Sequence, residues 1–94
     1  MAQNYMNDIS TSTSTTAYID LSTIKEIEVS NLDETDTITL AWGQSTATAT
    51  EKITLLAKEA SYPAVPVKLP GKGGVLYYTA SANTPDLRIV GIRI

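Results

Sequence analysis

The sequence predicts an all-β fold: a small antiparallel β-sandwich of about seven strands, jelly-roll-like or Greek-key, with an extended N-terminal arm. Three observations predict it. Short runs rich in Val, Ile, Thr and Tyr alternate apolar with polar residues from position 17 to the last residue. Each run is bounded by a cluster of Ser, Thr, Asn, Asp, Gly or Pro. Helical signals are confined to one candidate turn at Ser22-Thr23-Ile24-Lys25-Glu26, with Ser22 as its cap.

Residues 1–16 read as the arm and residues 17–94 as the sandwich domain. Ser10-Thr11-Ser12-Thr13-Ser14-Thr15-Thr16 is low-complexity and lacks large apolar groups. It suits a flexible arm, a polar edge strand, or an arm that orders on a neighbouring subunit. Small hydroxyl side chains bury too little apolar area to offset the entropy of ordering, so an ordered arm must pair its backbone with a sheet edge. Tyr5, Met6 and Ile9 are its candidate anchors.

The strands follow in order. Ala17-Tyr18-Ile19-Asp20-Leu21 alternates weakly. Glu26-Ile27-Glu28-Val29-Ser30-Asn31 alternates cleanly, and Asp33-Glu34-Thr35-Asp36 reads as a turn. Thr37-Ile38-Thr39-Leu40-Ala41-Trp42 alternates again, so these two runs are expected to pair as a hairpin. A polar loop from Gly43 to Thr50 leads to a strand at Lys52-Ile53-Thr54-Leu55-Leu56-Ala57. Two prolines keep Tyr62-Pro63-Ala64-Val65-Pro66 out of any central strand. Val67-Lys68-Leu69 is short, and Pro70-Gly71-Lys72-Gly73-Gly74 is a turn. A second hairpin is expected from Val75-Leu76-Tyr77-Tyr78-Thr79-Ala80 and Leu87-Arg88-Ile89-Val90-Gly91-Ile92-Arg93-Ile94, joined across Ser81 to Asp86.

That last run departs from one-sided burial. Leu87 and Ile89 fall on one face, Val90, Ile92 and Ile94 on the other. One face fills the core. The second needs a loop, the arm or another subunit over it, because monomers rarely expose large apolar patches. Val90, Ile92 and Ile94 therefore join Tyr5, Met6 and Ile9 as candidate partner contacts.

Composition narrows the function classes. The net charge is −3, and the seven Lys and Arg are scattered, which argues against nucleic acid. There is no cysteine and no histidine, so thiol nucleophiles, disulfides and Zn–thiolate sites are excluded. Apolar runs are far shorter than a membrane-spanning helix, and the N-terminus lacks a signal-peptide pattern, so no membrane partner and cytoplasmic synthesis are expected. No nucleophile–base pattern is visible, and the chain reads as non-enzymatic, without metal or cofactor.

Three local motifs resolve to structure. Asp33, Glu34 and Asp36 match no Ca²⁺ loop spacing and read as turn chemistry. Gly71-Lys72-Gly73-Gly74 runs into a strand where a phosphate loop would open a helix. Trp42, Tyr62, Tyr77 and Tyr78 suit packing or an interface. An exposed Trp42 or Tyr78 would instead make a sugar-stacking platform and a carbohydrate-binding module.

The strand order carries a resemblance. Ile27-x-Val29-x-Asn31, an acidic turn and Ile38-x-Leu40-x-Trp42-Gly43 come first. A Ser/Thr loop, Ile53-Thr54-Leu55, Val75-Leu76-Tyr77-Tyr78-x-Ala80-Ser81 and Leu87-x-Ile89-x-Gly91 follow. Over residues 18–94 the chain resembles the small β-sandwich virion proteins of tailed bacteriophages, of the capsid decoration (cement) and head–tail accessory types. The resemblance implies a virion structural protein bound in many copies to the major capsid protein or other virion proteins, and a homo-oligomer. A neck or tail accessory protein, or a receptor-binding fibre base, is the related alternative. The resemblance carries over no functional residue.

Overall fold

The period-2 segments become strands in two four-stranded antiparallel sheets. The structure, a computed structural model, describes residues 3–20, 23–43, 51–58, 66–69 and 74–93. Among these, eight strands form: β1 (Gln3–Ser10), β2 (Thr16–Asp20), β3 (Ile24–Asn31), β4 (Ile38–Gly43), β5 (Glu51–Leu55), β6 (Val67–Lys68), β7 (Val75–Ala80) and β8 (Asp86–Arg93). One sheet has the order β1-β8-β3-β6 and the other β2-β7-β4-β5. First thus pairs with last, second with seventh, third with sixth and fourth with fifth. That is a long two-stranded ribbon rolled into a sandwich, a jelly roll.

Neither expected hairpin forms. β3 and β4 lie in different sheets, as do β7 and β8, so both turns are arches across the core. Alternating strands around a polar turn fit a hairpin and an arch equally well, and here hydrogen bonds tie both arches to neighbouring segments. Buried Asn31 ends β3, and its amide donates to the carbonyls of Asp36 (2.8 Å) and Leu55 (3.2 Å). Its Oδ1 accepts the Asp33 N–H at 2.9 Å. The chain is thereby turned from one sheet toward the end of β5 in the other. The second arch is tied to its neighbours: Thr11 donates N–H and Oγ1–H to the Pro85 carbonyl, and Ser81 N–H donates to the Thr37 carbonyl. Asn83, in the left-handed region at φ 55°, donates to Asp36 Oδ2. β4 and β5, by contrast, are sequence neighbours paired in one sheet.

Of the expected helical turn, Ser22 lies outside the described residues, Thr23 is in a 3-10 turn, and Ile24, Lys25 and Glu26 are strand. β3 begins at Ile24, where a bulge sets Glu26 and Ile27 against the single residue Gly91. Glu26 takes φ 54° there. The bulge lets Ile24, Ile27 and Val29 all be buried although 24 and 27 are three apart, a spacing that mimics a helix face.

The core lies between the sheets. Val29, Leu87 and Ile89 from one sheet meet Ile38, Leu40 and Leu76 from the other, all fully buried. Trp42 is 6% exposed and belongs to this core. The exposed tryptophan of a sugar platform is therefore absent: Ile38, Leu40 and Trp42 alternate inward along β4, which puts the indole inside. Tyr78 is half-buried against the core.

Candidate assembly surface

Residues 3–10, within the expected arm, are strand. They form β1, the terminal strand of its sheet, in unbroken register with β8 from Gln3 opposite Arg93 to Ser10 opposite Asp86. Alternation then splits the anchors. Tyr5 and Ile9 face inward and pack on the core. Met6 faces outward, 66% exposed, opposite Val90, which is 38% exposed. Ile92, half-buried, lies opposite Asn4 on the same outer face. Ile94 lies outside the described residues. Of the six candidate contacts, Met6, Val90 and Ile92 thus share one surface. β1 lies beside the outer apolar face of β8 and leaves it open, since it pairs edge to edge.

Polar contacts fix β1 in place. Arg88 donates from Nε and Nη2 to the two oxygens of Asp8 at 2.8 and 2.9 Å, a two-pronged ion pair across the β1–β8 ladder. The Arg88 hydrogen bonds hold the Asp8 carboxyl below the usual carboxylate range. On the inner side Tyr5 and Tyr18 share a hydroxyl–hydroxyl bond, and Asn7 Nδ2 donates to the Tyr18 hydroxyl at 2.8 Å. Tyr18 is the extra residue of a bulge in β2, between Ala17 and Ile19. Its ring meets that of Tyr78 at 6.4 Å. Burial and the Tyr5 bond push the Tyr18 phenol up to about 12. The Arg93 guanidinium lies 5.0 Å from the centre of the Tyr5 ring, a cation–π contact at the end of β1. The bonds from Tyr5 and Asn7 to Tyr18 tie β1 to β2 of the other sheet.

Sequence reasoning missed the Asp8–Arg88 and Tyr5–Tyr18 partnerships. The ion pair joins positions 80 residues apart, and nothing local marks either member. Among the described residues no group of three or more Asp or Glu is placed to hold a metal ion.

No protein-family model and no curated protein matches the sequence. Among solved structures, the chain is similar to one from Bacillus endospore appendages, described as a novel family of disulfide-linked pili. The TM-score is 0.59 at 14% identity, over 99% of this chain and 85% of that one. The likeness is one of fold, and it agrees with the two-sheet architecture: the chain is a small all-β sandwich module. The linkage named for those pili has no counterpart here, because the chain has no cysteine.

Proposed function

We propose that this protein is a non-catalytic structural subunit that assembles with further copies by extending its sheets at their edges. The observation that carries the reading is β1: eight residues in unbroken register at the end of a sheet, with neither Lys, Pro nor bulge. Those are the devices by which soluble sandwiches protect an edge. The likeness to a pilus chain supports a building-block role. Within that role, the sequence resemblance supports a phage virion component, either a decoration protein on the major capsid protein or a neck, tail or fibre-base protein. The appendage likeness supports a bacterial surface filament. Both use many copies of one small module. The burial of Trp42 weighs against carbohydrate binding.

The test is light scattering during size exclusion over a wide concentration range, with electron microscopy of the concentrated protein and of its mixture with phage capsids. Closed oligomers, filaments or decorated shells support the reading. A monomer at every concentration that also leaves capsids bare overturns it.

A further inference from the structure

We infer that two copies join β1 to β1 about a two-fold axis at Met6, making one continuous eight-stranded sheet. This rests on the assembly reading above and adds the edge, the symmetry and the register.

The edge follows from comparing the four ends of the two sheets. β6 has two residues. β2 is broken by the Tyr18 bulge. β5 has five residues against the eight of β1. β1 is long and regular, and its only ionic side chain, Asp8, is neutralised by Arg88 within the same sheet. It is the strand whose backbone can take a partner with least hindrance.

The symmetry follows from parity. An axis perpendicular to the sheet keeps both inner faces on the same side, so inward residues must oppose inward residues. Only registers that centre on a residue satisfy this. Centring on Met6 sets Met6 against Met6 of the second copy, and the outer row reads Val90, Met6, Met6, Val90. The exposed apolar side chains of each copy then cover each other. The same register sets Asp8 of each copy opposite Asn4 of the other, so a carboxylate meets an amide donor and like charges stay apart. On the inner side Tyr5 of each copy opposes Asn7 of the other. Centring on Asn7 instead sets Met6 against Asp8, an apolar group against a carboxylate, and leaves the Met6 side chains apart.

The absence of native cysteine makes the test clean. Directly opposed residues in antiparallel strands have Cα atoms about 4.5–5.5 Å apart, inside the range a disulfide spans. Met6→Cys is expected to form a covalent dimer under mild oxidation. Asn4→Cys alone and Asp8→Cys alone are expected to give at least about tenfold less, while their mixture links efficiently. Met6→Lys, at an exposed position that leaves the fold intact, is expected to abolish the dimer of the otherwise native chain. Efficient linking of Met6→Cys with Asp8→Cys, or no preference among the variants while the native chain still assembles, overturns the register and leaves the assembly reading standing. A native chain that stays monomeric throughout, with no cross-link from any of the cysteine variants, overturns both.

Discussion

The Ile24 side chain occupies the space that a side chain on Gly91 would need: a Cβ there would lie 2.6 Å from Ile24 Cγ2 and 3.1 Å from the Lys25 carbonyl oxygen. Gly91 is the single residue facing the β3 bulge, so the missing Cβ and the extra residue fit together. Gly91→Ala is expected to destabilise the protein by about 1–3 kcal/mol through overpacking. Ile24→Ala removes the Cγ2 methyl, so the double variant is expected to lose less than the sum of the two single losses. Urea unfolding of the four proteins gives the coupling; strict additivity would refute the contact.

Asn31 joins three segments through one buried amide. Asn31→Ala leaves the carbonyls of Asp36 and Leu55 without that donor, for an expected loss of about 1–3 kcal/mol. Asn31→Asp is expected to be at least as damaging, because a carboxylate brings negative charge to carbonyls that need a donor. Denaturation midpoints at neutral pH read both.

Alkali should act through Tyr18. Its phenol is raised in the folded state to about 12 from the ordinary value of 10.0. Below pH 10 the phenol is protonated in folded and unfolded chains alike. As pH rises from 10 to 12 the unfolded chain releases the proton first and stability falls. Ultraviolet titration should show a late-ionising phenol that Tyr18→Phe removes, and Tyr18→Phe should flatten the loss. A native-like alkaline slope in Tyr18→Phe would refute the assignment.

Acid should act in the opposite sense through Asp33. Its Oδ2 accepts the backbone N–H groups of Asp36 (2.7 Å) and Thr35 (3.0 Å), which hold its carboxyl below the usual value. The resulting stability is present above the unfolded carboxylate range near pH 4 and is lost as pH falls through the lower folded value. Asp33→Ala is expected to cost about 1 kcal/mol at pH 7 and less at pH 2. An equal cost at both pH values would count against it.

What was legible in the sequence follows from how local each signal is. Alternation along Ile38, Leu40 and Trp42 announced both the strand and its buried face, because strand geometry fixes side-chain direction within a few residues. The split of Leu87 and Ile89 from Val90 and Ile92 was legible for the same reason. Sheet membership was not. Whether the chain after Asn31 folds back beside β3 or crosses the core depends on where Leu55 offers its carbonyl, 24 residues on. The expected turn at Ser22 to Glu26 rested on Ser22 as a cap, and nothing local marks the bulge that sets Glu26 and Ile27 against Gly91. On the candidate surface, the outward side of β8 could be read from alternation. That Met6 belongs beside Val90 required the β1–β8 register.

The pairing of first strand with last has a consequence in time. Arg88 follows Asp8 by 80 positions. At a synthesis rate of about 5–20 residues per second, β1 waits roughly 4–16 s for β8 to emerge. For that interval it lacks the strand it pairs with. Its composition suits the wait: in Gln3-Asn4-Tyr5-Met6-Asn7-Asp8-Ile9-Ser10, polar residues outnumber apolar ones and no two large apolar residues other than Tyr5 and Met6 adjoin. A strand that must be born early and docked late is kept soluble by its own amides and carboxylate.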